Sequence, residues 1–317
     1  VYIRHVTNFA EMSNHSPAEV DDFIPVVRSI VNRGKDYVPL MCKGMARLIH
    51  NHNNQQQGGK SDYNFDEKFV NKFMNEFLLN RIGSNVLMSQ YLAVATGDDP
   101  PHPTSIVDPH CNVAAICRET AEKVRNLCLQ ETGFCPHIHV ESHEFDHEHD
   151  FAFIPGVISY VIQELLKNSA QATAKKYKKE TKEATKTTSL QEKENMTISV
   201  VICADKSRVM IHIGDRAGGI PFDHAQHIWS YLYSTKSTAG RLESRGATDL
   251  GGFGVGLPLS RLYASYLGGT INLVSLPGYG THAYVFLPRL PENMVESVPI
   301  RATGWEANKS YNGEFIL

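Results

Sequence analysis

No apolar run in this sequence reaches the roughly 20 residues of a membrane-spanning helix, so a helical membrane span is not expected. No C-x-x-C pair occurs. The six cysteines (Cys42, Cys111, Cys117, Cys128, Cys135 and Cys203) are scattered, and in a chain this long they read as reduced, mostly buried thiols of an intracellular protein. An excess of one charge is also missing. Lys and Arg number 31 against 34 Asp and Glu, a formal net charge of -3, which gives no electrostatic pull toward nucleic acid or an anionic membrane. The chain opens at Val1 rather than Met, so an upstream stretch is expected, either a targeting segment or more of the first domain. What remains is 317 residues, 42% hydrophobic and 21% charged, enough for two domains that each bury a core.

The first part reads as helical. From Pro17 to His50 apolar residues recur at helical spacing (Val20, Phe23, Ile24, Val27, Ile30, Val31, then Val38, Met41, Met45, Leu48). The polar stretch Asn51–Tyr63 is expected to be a surface loop. The pattern returns at Phe65 through Phe69, Phe73, Phe77, Leu78, Ile82, Val86 and Leu87, and predicts a long amphipathic helix stopped by Gly97–Pro103. Asn112–Glu131 reads as a further helix, entered through Asp108-Pro109. An antiparallel helical bundle over residues 1–135 is the economical reading. After Gly133 the character changes. Ile138–Glu141 alternates like a strand, and Val157–Lys176 is a helix. Thr197–Ala204 and Arg208–Gly214 form a hairpin turned at Asp205–Ser207. Phe222–Tyr233 and Leu257–Leu267 are expected to be helical, with Ile271–Ser275 and Ala283–Leu287 a second strand pair. The fold class is therefore α+β, with a largely antiparallel sheet in residues 136–290 and a tail over 291–317. Lys175–Asn195, rich in Lys, Thr and Glu, is expected to be a disordered insertion.

Three segments carry chemistry. On a helix, Ile158, Val161, Leu165 and Ala172 share one face, while Glu164, Asn168 and Gln171 share the other. A carboxylate one turn before a carboxamide is an oxygen-rich patch that suits Mg²⁺, which takes few protein oxygens and keeps waters and phosphates. Lys167 beside them could meet phosphate; a merely solvated helix face is the plain alternative. Second, Asp215 ends a strand and precedes Arg216-Ala217-Gly218-Gly219. A carboxylate there can accept from the exocyclic amine of adenine, and the glycines let backbone approach the ring; a β-turn is the alternative. Third, Gly251-Gly252-Phe253-Gly254-Val255-Gly256-Leu257-Pro258 sets glycines at alternate positions before a helix start, a phosphate cradle of backbone N–H groups. No Gly-Lys-Ser/Thr follows, so it is not a Walker loop, and no ribose-binding acid stands where a dinucleotide fold would need one. Ser234–Asp249 is small and polar and reads as a mobile lid. Five histidines (His137, His139, His143, His147 and His149) crowd a loop-like stretch. No cysteine or carboxylate pattern completes a metal site there, and a solvated, pH-sensitive loop is the expectation.

Helix, strand end and helix N-terminus in this order resemble the GHKL ATP-binding fold of gyrase, MutL and the histidine kinases, over about Phe153–Leu290. Within it, Glu164-Leu165-Leu166-Lys167-Asn168-Ser169, Tyr233-Ser234-Thr235, Gly252–Pro258, Ser260-Arg261-Leu262-Tyr263-Ala264 and Gly278-Tyr279-Gly280-Thr281 look like the mitochondrial pyruvate dehydrogenase kinases. Val31-Asn32-Arg33, Asn80-Arg81-Ile82 and Ile106–Val113 resemble the same family. The branched-chain ketoacid dehydrogenase kinase shares the core motifs and fits Asp108–Val113 less well.

The resemblance implies a GHKL-type α/β sandwich and a protein serine kinase that uses ATP and Mg²⁺ to inactivate a 2-oxoacid dehydrogenase complex in the mitochondrial matrix. It implies that Glu164 is the general base, with Lys167 beside it, and that Asn168 binds Mg²⁺. It implies nucleotide contacts from Leu165, Leu166, Ser169, Ala170, Gln171, Asp215, Gly219, Ser234, Thr235, Gly252, Phe253, Gly254, Val255, Gly256, Leu257 and Thr281. It also implies a homodimer, the decarboxylase component as substrate and a lipoyl domain as docking site. The sequence departs from the family at Gln171, where arginine is usual, at Ala217, where glycine is usual, and at Tyr91, where mammalian members carry histidine. It also begins late, without N-terminal helices that help grip the lipoyl domain. A branched-chain kinase and a non-catalytic ATP-binding module are the competing readings. A sensor histidine kinase would need a phospho-accepting histidine in Asn64–Thr96, and that stretch has none.

Overall fold

The computed structural model describes residues 20–34, 37–55, 66–96, 105–144, 151–183, 196–233 and 254–289. They divide into two compact units. One comprises the described residues up to Ile106 together with those of Trp229–Leu262; the other runs from Val107 to Ile228 and resumes at Tyr263.

In the first unit three helices follow one another: α1 (Val20–Arg33), α2 (Tyr37–Gln55) and α3 (Glu67–Ala95). Asp66 starts α3 by accepting the N–H of Phe69 at 2.8 Å, which satisfies one of the orphan donors of the first turn. Val70, Met74, Leu78 and Ile82 then recur every fourth residue and are all buried, a single stripe along α3. Val27 and Ile30 of α1 and Cys42 and Met45 of α2 are buried as well. Gly34, after α1, leaves room for the Arg81 guanidinium, which a Cβ there would meet at 1.5 Å; Arg81 lies over the Tyr37 ring at 5.1 Å.

The second unit is a five-stranded sheet with helices on one face. Helix α4 (Val113–Thr132) is capped by Asn112, which accepts from the Ala115 N–H at 2.9 Å, and ends on Gly133 in the left-handed conformation. Strand β1 (Ile138–Glu144), helix α5 (Pro155–Glu183), strands β2 (Ile198–Ala204) and β3 (Arg208–Asp215), and the single turn α6 (Phe222–Ala225) follow. Helix α7 (Gly256–Tyr266), in which the two units meet in sequence, precedes β4 (Thr270–Leu276) and β5 (Gly280–Pro288). The strand order is β1-β2-β3-β5-β4, parallel only between β1 and β2. Ile198, Val200 and Ile202 of β2 and Val209, Ile211 and Ile213 of β3 alternate into the core. There they meet α5, whose Ile158, Val161 and Ile162 approach Ile211 and Val285. Their strand neighbours Ser199, Val201, Met210 and His212 point to the other face, which is half-exposed. Among the described residues no helix is long and apolar enough to cross a membrane. All six cysteines are free, and burial pushes Cys42 and Cys117 up to about 12, which removes both as nucleophiles at neutral pH.

The mixed helix-and-strand class holds, and four local expectations are corrected. Helix α2 continues through Asn51–Gln55, because no glycine or proline interrupts those polar residues. Helix α5 runs to Glu183, so the first part of the expected insertion is helical; Lys and Glu are good helix formers, and a lack of apolar residues does not stop them. The histidine stretch is strand, not loop, from Ile138 to Glu144, because β2 supplies a full hydrogen-bonded partner. Phe222–Tyr233 is helical only over Phe222–Ala225; beyond it the N–H groups of Tyr231 and Leu232 bond to Asn71 and Gly254 instead of to a preceding turn.

Candidate functional site

Within the second unit, α5 and the end of β3 bring together the first two chemical segments. Leu165 and Leu166 anchor α5 in the core, at 3% and 0% exposure. The helical period carries Glu164 partly down with them: it is 5% exposed, so the solvated-face alternative does not hold for it. A buried carboxylate needs a partner, and Lys167, one turn on, donates to Glu164 Oε1 at 3.1 Å. Among the described residues Lys167 meets no second acceptor, which leaves two N–H donors for an incoming anion. Asn168 is exposed and presents its carboxamide to solvent; Gln171 and Ala172 are half-buried, so Ala172 leaves the apolar face expected for it. Ala170 is buried in the core.

Asp215 is 4% exposed; among the described residues no cation pairs with it, and neutral donors hold it. Ser169 Oγ–H donates to its Oδ2 at 2.8 Å, while the N–H groups of Ala217 and Thr281 donate to its Oδ1 at 3.0 and 3.4 Å. Each carboxylate oxygen accepts about two hydrogen bonds. Oδ1 is therefore filled, and Oδ2 keeps one acceptor position, the requirement for an amine such as that of adenine. The role of Ser169 was not visible from spacing alone: it aims Asp215.

The loop after Asp215 is built around glycine. Gly218 and Gly219 have φ of 98° and 70°, and a Cβ on Gly219 would stand 2.2 Å from the Leu276 carbonyl oxygen. The loop is stitched to the β4–β5 turn. Gly218 N–H donates to Tyr279 O at 3.1 Å, Gly278 N–H to Gly218 O at 2.8 Å, and Ile220 N–H to Ser275 Oγ at 2.8 Å. Lys176 Nζ of α5 donates to Arg216 O at 2.7 Å, a second contact that sequence reasoning missed. Ala217 is not among the residues with positive φ, so its methyl group requires no backbone strain. The buried Asp215, with one acceptor position left on Oδ2, and its glycine-lined turn fit a nucleotide base.

Within the first unit, Gly254 has φ of 69°, and a Cβ there would lie 2.1 Å from the Tyr233 carbonyl oxygen. Val255 is fully buried, and α7 starts at Gly256 and Leu257. Pro258 sits in the first turn, where its missing N–H costs nothing. The free N–H groups of that turn fit an anion. Ser234, Thr235, Gly252 and Phe253, and with them the expected lid over Ser234–Asp249, lie outside the described residues. Tyr91 packs edge-on against Phe23 with ring centroids 5.3 Å apart. Among the described residues no three His, Cys, Asp or Glu side chains gather as a metal site. His143 pairs with Glu141 at 2.8 Å, and His147 and His149 are outside the described residues.

Two family models match the chain. Residues 1–110 match the mitochondrial branched-chain alpha-ketoacid dehydrogenase kinase model, and residues 155–291 the histidine kinase-, DNA gyrase B- and HSP90-like ATPase model. Human pyruvate dehydrogenase (acetyl-transferring) kinase isozyme 3, mitochondrial, is 31% identical over 98% of this chain and 74% of its own length. Isozyme 4 from the same organism is 30% identical over 94% and 70%, and the Arabidopsis thaliana kinase 28% over 86% and 69%. With identity at that level along nearly the whole chain, and an ATPase match that spans Glu164, Asp215 and Gly256, the chain belongs to the pyruvate dehydrogenase kinase family.

Proposed function

We propose that this chain is a protein serine kinase that uses Mg²⁺ and ATP to phosphorylate, and so inactivate, the decarboxylase component of the mitochondrial pyruvate dehydrogenase complex. The observation that carries the reading is a buried carboxylate, Glu164, one turn before an exposed carboxamide, Asn168, inside the segment that matches the ATPase model. Asp215 takes the adenine amine, with Ser169 and Thr281 fixing its carboxylate and Gly219 giving the base room. Asn168 supplies an oxygen to Mg²⁺, which neutralises phosphate charge when bound. Gly254, Val255, Gly256 and Leu257 offer N–H groups to the phosphates, as do Gly252, Phe253, Ser234 and Thr235 by resemblance. Lys167 holds Glu164 in place. Glu164 draws the proton from the substrate serine, a role that suits a carboxylate kept from bulk water.

A branched-chain ketoacid dehydrogenase complex is the second reading, favoured by the family model that matches residues 1–110. Further parts rest on resemblance: a mitochondrial matrix location, docking to a lipoyl domain, and a homodimer through the open face of the sheet. The deciding experiment is incubation with Mg²⁺, ATP and each purified complex, followed by mapping of phosphorylated serines. Phosphate on the pyruvate complex alone supports the first reading and on the branched-chain complex alone the second. Phosphate on neither, with ATP still bound, makes the chain a non-catalytic ATP-binding module.

A further inference from the structure

Helix α3 carries a polar stripe that the proposed chemistry leaves unused. Glu67, Asn71 and Asn75 stand on successive turns and all reach the same two residues. Ser230 Oγ–H donates to Glu67 Oε1, and Asn71 Nδ2–H donates to Ser230 Oγ at 3.2 Å. The Tyr231 N–H donates to Asn71 Oδ1 at 2.9 Å, and the Tyr231 hydroxyl to Asn75 Oδ1 at 2.7 Å. Ser230 and Tyr231 are 6% and 4% exposed, so these bonds are made away from water. From the side of α7, the Arg261 guanidinium lies 4.8 Å over the Trp229 ring.

The next residue is Leu232, the one non-glycine with positive φ (65°) among the described residues. Such backbone persists only where its surroundings over-determine it. Here the preceding amide is fixed by Asn71, and the Leu232 N–H donates to the Gly254 carbonyl at 3.1 Å. Gly254 in turn lies against Tyr233 too closely for any Cβ. Two residues later α7 begins.

We infer that Asn71 and Asn75 are positioning residues for nucleotide binding: through Tyr231 and the Leu232–Gly254 bond they fix where the N–H groups at the start of α7 stand. The inference rests on the reading that this helix start meets phosphate. A stripe that served stability alone could be apolar. Four directed hydrogen bonds onto two adjacent residues instead set one register, since a slip of one residue leaves every donor unpaired.

The test is calorimetry of Mg·ATP binding with steady-state kinase assays on the full chain. Asn71→Ala should raise the Kd and KM for ATP about tenfold, the worth of one or two buried hydrogen bonds, and leave kcat at saturating ATP within about twofold. Asn75→Asp keeps the acceptor for the Tyr231 hydroxyl and should bind like the parent. Asn71→Asp loses the donor to Ser230 and sets a second carboxylate beside Glu67, and should not be rescued. Tyr231→Phe, which removes one hydroxyl and preserves packing, gives the same answer if Asn71→Ala does not fold, with a smaller rise in Kd. Unchanged Kd in Asn71→Ala and Tyr231→Phe, while Asp215→Asn abolishes binding, overturns the positioning role and leaves the ATP reading standing. A parent that binds no Mg·ATP overturns both.

Discussion

Glu164 and Asn168 lie one turn apart on α5 in different environments, and their substitutions should separate accordingly. Asn168→Ala should weaken Mg·ATP binding and abolish phosphorylation together. Glu164→Gln keeps shape and much of the nucleotide affinity while phosphate transfer to the dehydrogenase complex falls by about 10²–10⁴, the usual share of a general base. It also leaves Lys167 without its carboxylate at a largely buried position, so unfolding free energy should drop by about 1–3 kcal/mol. Phosphorylation at the parent rate would remove Glu164 as the base. Gln171 is a separate case. Gln171→Arg introduces a cation where the family resemblance implies one and should tighten ATP by up to about 1.5–3 kcal/mol, less where solvent reaches it. Calorimetry that finds no change would mean the side chain points elsewhere. Residue types and spacing were enough to single out Glu164, Asn168 and Asp215. They could not tell that Glu164 is buried or that Ser169 and Thr281 hold Asp215, because both depend on which strand lies across from α5.

At the scale of elements, periodicity located α1, α4 and every strand, since each buries one face and repeats accordingly; it placed α3 but not its buried face, because Phe69, Phe73 and Leu87 are exposed and Val70, Met74, Leu78 and Ile82 form the stripe. It failed where hydrogen bonds leave the local segment. Residues 226–233 have the composition of a helix, yet the amides of Tyr231 and Leu232 go to Asn71 and Gly254, acceptors far away in sequence. The order β1-β2-β3-β5-β4 was likewise out of reach, because a strand's own pattern does not name its neighbour. The loop after β3 gives an element-scale prediction. Gly219 is at φ 70° and hard against the Leu276 carbonyl, whereas Gly218 is at φ 98° with open space around it. Gly219→Ala should cost about 1–3 kcal/mol and weaken ATP, as backbone forced from a sparse region must move. Gly218→Ala should cost about 1 kcal/mol, the conformational share alone. Urea unfolding of the two variants compares them directly, and equal losses would mean the Leu276 contact gives way.

For the whole molecule, the proposed dimer places the open face of the sheet at the interface, and that face is titratable. His212 Nε2 of β3 and His282 Nδ1 of β5 lie 2.9 Å apart as diagonal neighbours, His212 pairing with Tyr284 and His282 with Gly214, with ring centroids at 5.2 Å and planes 11° apart. The centroids are farther apart than the nitrogens by about two ring radii, which requires the nitrogens to point at one another. The pair is thus an in-plane N–H···N bond, not a stack, and one nitrogen must keep its lone pair. The Tyr284 ring borders His212 at 4.9 Å, and His139, Glu141 and His143 of β1, Cys203 of β2 and Arg208 of β3 are further ionisable groups on this face; Ser199 and Met210 beside the pair are neutral. Burial first, and the neighbouring His282 second, hold the His212 pKa below its ordinary 6.5. The unfolded chain therefore takes up the proton first as pH falls. Stability from this site is complete above pH 6.5 and declines as pH drops toward the lower folded value. Urea unfolding at pH 7.5 and 5.5 should show the parent losing more stability than His212→Leu. In the same range, sedimentation equilibrium should find a dimer at micromolar concentration near neutrality that dissociates on acidification. A monomer at every pH would sink the interface, whereas a dimer indifferent to pH, with the unfolding difference intact, would move the interface off this face of the sheet.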